Sequence, residues 1–178
     1  MGKGKQIDVY RGTRYHKPMI YRVYLETTMF NFYFSTQSPD KKADTRCFFE
    51  QIAKGKYEPY TSETVVDELK DAAEQKYRAM QELIDKYAVA VLSRTAEAEK
   101  LADRYAASGI IPLKYQTDGL HIGIATVNEL DFVASYNYAH IVKLKTINAC
   151  GLINRQEGYH FIGLMTPTEV IDYDTRRT

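Results

Sequence analysis

Runs of strand length, rich in β-branched and aromatic residues, alternate along this chain with longer segments of helical periodicity. That alternation limits the fold more than any other feature. The strand-like runs are "MIYRVYLETT" from Met19, "YEPYTS" from Tyr57, "VAVLS" from Val89, "DFVASYN" from Asp131 and "YHFIGLMTP" from Tyr159. Between them lie segments with helix caps and stops. Ser38 and Asp40 precede a pattern of Ala43, Cys47, Phe48 and Ile52 that Gly55 ends. Ser62 opens "SETVVDELKDAAEQKYRAMQELIDKY", which is one helix or two, because Val65, Leu69 and Ala72 do not share a face with Met80 and Leu83. Thr95 and Gly109 bracket a further helix, another begins near Thr117 after a loop at Pro112, and "AHIVKLKTINACGLINRQEG" from Ala139 reads mostly as helix. "FNFYFST" after the first strand is apolar and either helical or irregular. Strands alternating with helices predict an α/β fold in three layers, α/β/α, around a mostly parallel sheet. In such sheets ligands bind outside the carboxyl ends of the strands.

The chain of 178 residues suffices for one domain with a real core. We place that domain at residues 19–178. Residues 1–18, "MGKGKQIDVYRGTRYHKP", carry few aliphatics and read as a flexible leader. No apolar run approaches the ~20 residues that span a bilayer, and no signal peptide is visible, so a cytoplasmic protein without membrane contact is expected. Cys47 and Cys150 are isolated, which excludes a zinc ribbon and argues against a disulfide framework. Net charge is only +1, so the chain lacks the strongly basic footprint of many nucleic-acid binders. Contact with phosphates must then be local, or be made through metal ions.

Glu26 is the anomaly in this pattern. It sits in an apolar strand-like run and is followed at once by Thr27 and Thr28. A buried carboxylate is costly without a partner, and nothing in its own segment supplies a cation. Glu68 lies in the helix "TVVDELK", Asp118 opens the helix "TDGLHIGIA", and Asn137 follows the strand "DFVASYN". Strand ends and helix starts at one sheet edge converge despite such gaps in sequence. Clustered carboxylates repel one another unless a cation lies among them. Oxygen ligands of this kind suit magnesium and manganese, which serve phosphodiester hydrolysis. No Ser–His or Cys–His nucleophile pattern and no glycine-rich phosphate loop is present.

These segments, in order, resemble the PIN-domain nucleases, in particular the VapC-like ribonuclease toxins of bacterial toxin–antitoxin pairs. The likeness covers about Met19 to Val170. "VYLETTMFNFY" stands for the family's opening strand with its acid, "SETVVDEL" for its Glu-Leu helix and "TDGLHIGIA" for its Asp-bearing helix. "FVASYNYAHI" stands for its fourth strand and "GLMTPTEV" for its end. The resemblance implies a Mg2+ or Mn2+ site and cleavage of single-stranded RNA by water attack, with RNA and a small antitoxin as partners. A homodimer is expected. Glu26, Glu68 and Asp118 take the places of the family's first three acids, as metal ligands and catalytic residues. Glu26 stands where Asp is usual. Asn137 stands where many members have a fourth acid, which removes one charge and puts a second metal ion in question. The alternative is a weakened PIN-like module that binds RNA or protein without cutting.

Other residues are candidates for substrate contact or support. Thr28 falls where the family has a small hydroxyl near the metal. Asp131 could replace the missing fourth acid only if its strand is shifted. His121 shares Asp118's helix face, although a core histidine is the commoner role for such a residue. His140 could meet phosphate. Gly119 and Gly123 would let their helix pack closely. Tyr136 and Tyr138 flank Asn137 and could stack on bases, but most tyrosines bury the ring and wet the hydroxyl.

Overall fold

The computed structural model describes residues 19–171, so the basic leader falls outside the described residues. Five strands form one sheet: β1 (Tyr21–Leu25), β2 (Tyr57–Ser62), β3 (Ala90–Leu92), β4 (Phe132–Ala134) and β5 (Gly163–Met165). The order across the sheet is β3-β2-β1-β4-β5, and every neighbouring pair is parallel. Parallel sheets need cover on both faces, and the central strands show it. Val23, Tyr24, Leu25, Phe132, Val133 and Ala134 are all buried.

The helices are α1 (Thr27–Tyr33), α2 (Pro39–Ala53), α3 (Glu63–Leu69), α4 (Glu74–Lys86), α5 (Ala96–Ala107), α6 (Gln116–Val127), α7 (Leu144–Gln156) and α8 (Pro167–Val170). The pleat assigns them to faces. Tyr21 pairs with Tyr57 in register, so their side chains share one face of the sheet, while Tyr24, three residues on, points to the other. Tyr57 stacks on Phe48 of α2 at 4.8 Å between ring centroids. Tyr24 meets His121 of α6. Helices α2 and α6 therefore cover opposite faces, and the architecture is the three-layer α/β/α sandwich the alternation predicts.

Local signals set most boundaries. Ser62 accepts a hydrogen bond from the Val65 N–H, and Thr95 one from the Ala98 N–H. Gly55 and Gly109 adopt positive φ past α2 and α5. The long segment after Ser62 is two helices, α3 and α4, and the apolar stretch after β1 is the helix α1. The run from Ala139 is mostly helix, as α7, but the helix begins only at Leu144. Residues 139–143 form turns instead of helix, because the Asn137 carbonyl accepts from both Ile141 N and Val142 N and closes the chain locally. The last strand is also shorter than its run, since Thr166 and Glu169 build a capping box that starts α8.

Helices α5 and α6 approach most closely at Gly123. A Cβ there would lie 2.7 Å from the Ala98 carbonyl oxygen, whereas at Gly119 it would make only ordinary contacts, the nearest at 3.5 Å. Gly123→Ala should therefore cost about 1–3 kcal/mol in chemical denaturation through overpacking, and Gly119→Ala much less. Equal losses would show that the tight approach is not real.

The chain runs outward from β1 through β2 to β3, then returns across to β4 and β5. The strand order reverses between β1 and β4. In open α/β sheets that reversal creates a crevice at the carboxyl ends of the two strands.

Candidate functional site

Glu26 stands at this crevice. Strand β1 ends at Leu25, and Glu26 continues extended (φ −78°, ψ 162°) to cap α1. Its backbone N–H donates to the Ala134 carbonyl at 3.2 Å, which ties it to the end of β4. The carboxylate is 4% exposed. Its Oε2 accepts from Thr28 N (3.2 Å), Thr28 Oγ1 (2.6 Å) and Ser135 Oγ (2.8 Å). These neutral donors make burial of the charge tolerable. Thr28 Oγ1 also accepts from Tyr136 N at 2.8 Å. The hydroxyl the resemblance puts beside a metal is thus committed to holding Glu26 against the β4 loop.

The second threonine serves the second acid. Thr27 donates its hydroxyl hydrogen to Glu68 Oε2, bringing α3 to the end of β1. His121 Nε2 lies 3.2 Å from the same oxygen, but off the line a hydrogen bond requires, so this buried nitrogen makes no directed bond. The other ring nitrogen, Nδ1, is 2.9 Å from Tyr24 OH, which is 2.6 Å from Ser62 Oγ. A buried chain of hydroxyls from β2 and β1 therefore fixes the orientation of the imidazole.

Asp118 and Asn137 form the outer part of the site. Asn137 Nδ2 donates to Asp118 Oδ1 at 3.0 Å. Its Oδ1 accepts from His140 N at 3.0 Å, which settles which end of the amide is which. The amide oxygen is thus used in a turn and the amide nitrogen orients Asp118. The backbone N–H of Asn137 donates to Ser135 Oγ at 2.9 Å, so Ser135 joins Asn137 to Glu26. His140 stacks on Tyr115 with centroids 3.9 Å apart, beside Asp118.

Asp131 does not belong to this site. It precedes β4, at the opposite end of the sheet, where its Oδ2 accepts from Arg22 N at 2.6 Å. A strand of only three residues, Phe132–Ala134, leaves no register that would bring it across. Tyr136 is also withdrawn, being 4% exposed, whereas Tyr138 is 52% exposed.

Charge in the site is shared unevenly. Burial pushes the Glu68 carboxyl up, but His121 and the Thr27 hydroxyl outweigh it and leave the group below its ordinary value. Burial works against protonation of His121, yet Glu68, Glu26 and Asp118 together hold the imidazole above the ordinary histidine value. Asp118 is raised by burial. His121, Asn137 and His140 relieve only part of that, and the Glu26 charge adds to it.

One carboxylate oxygen from each of Glu26 and Glu68 and one ring nitrogen of His121 lie within 4.8 Å of one another. Among the described residues this is the one group of three such ligands close enough to share an ion. Asp118 is not a member of this group. The donor set suits a divalent cation, and the undirected Nε2 is the kind of orphaned buried atom that a cation would satisfy.

Sequence reasoning overlooked Ser135, Thr27, Tyr24 and Ser62. Two of them carried a signal. Tyr24 and Glu26 are two apart, as are Ser135 and Asn137, and residues two apart at a strand end point the same way. Among the described residues no helix is long and apolar enough to cross a membrane. No family model matches the chain, and no curated protein matches it.

Proposed function

We propose that the chain is a metal-dependent endoribonuclease of the PIN type, cutting phosphodiester bonds in single-stranded RNA and acting as the toxin of a toxin–antitoxin pair. One observation carries the reading: Glu26, Glu68 and His121 converge where the strand order reverses, with Asp118 and Asn137 bonded to each other alongside. Acids gathered at that edge of a parallel sheet favour a cation over bare phosphate. The ordered sequence segments support the family assignment, and the toxin role, the antitoxin and a homodimer rest on that resemblance.

Glu26 and Glu68 would hold Mg2+ or Mn2+, with Asp118 completing the acidic set from the neighbouring helix. When bound, such an ion would offset the acids' repulsion, polarise the phosphodiester and make water a better nucleophile. The chain's own part is orientation. Thr27, Thr28 and Ser135 hold the two glutamates in place before any substrate arrives, so no reorganisation is needed during reaction. Asn137 holds Asp118 in a fixed orientation beside the two glutamates.

The full chain, purified free of metal, should cut a single-stranded RNA pool when Mn2+ is added, stop with EDTA and spare duplex RNA. Absence of cleavage across a diverse pool with either ion would reject the reading. A second reading, a PIN-like module that binds RNA or protein without cutting, is favoured by His121. Its imidazole beside Glu68 could supply positive charge in place of an ion. In that case RNA binding would survive EDTA and no cut product would form.

A further inference from the structure

The geometry points to His121 Nε2 as a direct ligand of the bound ion, together with one oxygen each of Glu26 and Glu68, so that the site selects a divalent transition metal over magnesium. The inference rests on the metal-site reading above and deepens it, since neither the acids nor the resemblance assigns a nitrogen ligand.

Three independent features of the imidazole lead there. His121 is 1% exposed and its Nε2 makes no directed hydrogen bond, although it lies beside Glu68 and the residue groups with Glu26 and Glu68. An ordinary core histidine would have both ring nitrogens satisfied. Its Nε2 lies 3.2 Å from Glu68 Oε2. Two ligands each about 2.0–2.2 Å from one ion sit roughly 2.8–3.6 Å apart in octahedral or tetrahedral geometry, so the spacing matches neighbouring corners of one coordination shell. Finally, Nδ1 is held by Tyr24 OH, itself held by Ser62 Oγ. Metal-bound histidines characteristically anchor the distal nitrogen in this manner, which fixes the ring and the tautomer. With Nδ1–H donating to Tyr24 OH and Tyr24 donating to Ser62, Nε2 is the nitrogen beside Glu68; it carries the proton in the metal-free protein and would give that proton up to offer its lone pair to a bound ion. Both hydroxyls can turn, so the chain accommodates this direction without moving a heavy atom.

Chemistry then sets the preference. Magnesium keeps oxygen ligands and a strict octahedral shell. Imidazole nitrogen favours first-row transition ions. One imidazole with two carboxylates is therefore a donor set for manganese, iron(II), cobalt(II) or zinc, and a poor one for magnesium.

The test uses the metal-stripped full chain. Isothermal titration with Mn2+ and with Mg2+ gives affinities, and pulsed electron paramagnetic resonance of the Mn2+ complex reports a directly bonded 14N nucleus. We expect 14N coupling in the wild type, its loss in His121→Gln, and a loss of Mn2+ affinity of more than about 10-fold in that variant with little change for Mg2+. Tyr24→Phe keeps the ring but removes its anchor, and should weaken Mn2+ about 10- to 100-fold while retaining the 14N signal. Circular dichroism checks that both variants fold. Should His121→Gln fail to fold, the wild-type 14N signal and Tyr24→Phe decide. Mn2+ bound without 14N coupling overturns the ligand assignment and leaves the metal site standing. Absence of binding by either ion overturns both.

Discussion

Glu26→Gln is expected to lower manganese-dependent RNA cleavage by more than about 100-fold while melting within a few degrees of the wild type. The two halves of the prediction have different causes. Glutamine keeps an acceptor oxygen, so Thr28 N, Thr28 Oγ1 and Ser135 Oγ retain a partner at the end of β1, and loss of one negative charge relieves repulsion with Glu68. The fold therefore has no reason to fail. Cleavage does. An amide is a weak ligand for a hard cation, and losing a ligand should exceed the 10- to 100-fold typical of losing an outer-shell partner. Steady-state cleavage with Mn2+ and a thermal melt in EDTA measure the two quantities. Full activity in Glu26→Gln would remove Glu26 from the chemistry and with it the metal site proposed at the end of β1.

The second large effect concerns the metal-free protein. His121→Leu should destabilise it by roughly 2–4 kcal/mol at pH 6, measured by guanidinium unfolding in EDTA. Removing one partner of a buried ion pair typically costs about 3–5 kcal/mol, reduced here because the Glu68 side chain is 33% exposed. A pH dependence accompanies it. The folded state holds the His121 proton above its ordinary value of 6.5. Stability from that proton is present below pH 6.5 and is lost as pH rises through the folded value. Glu68 acts oppositely. Its share is present above its ordinary value of 4.5 and fades as pH falls through the lowered folded value. Asp118, raised from 3.8, adds a penalty as it ionises, on the acid side. Above pH 6.5 the histidine remains as the changing member of the three. The metal-free wild type should therefore lose stability from pH 6.5 upward, and His121→Leu should not. Parallel pH curves for the two proteins would show that His121 carries no extra proton in the folded state.

The fold was legible in the sequence because its signals are local. Period, caps and stops mark α2, α5 and the α3–α4 break, and each is set by residues within a few positions of one another. The sequence also singles out Glu26, because an acid in an apolar run needs a partner whatever the fold. What it could not display is who that partner is. Ser135 is an ordinary hydroxyl until β4 lies beside β1, and Tyr24 an ordinary strand aromatic until α6 covers it. Asp131 misleads for the same reason. Its distance from Asn137 in sequence is small, but the strand between them carries the two to opposite ends of β4. The turn at residues 139–143 escapes notice because its closing bonds come from the Asn137 carbonyl, a main-chain group that leaves no trace in side-chain periodicity.

The pairing of Leu25 with Ala134 has a consequence for how the chain is made. The middle of the sheet cannot zip until residue 134 has left the ribosome, since contacts between such distant segments must first close a long loop. Until then Glu26 lacks the Ser135 hydroxyl that donates to it in the folded chain. A nascent chain therefore cannot bring Glu26 and Ser135 together until β4 has been made.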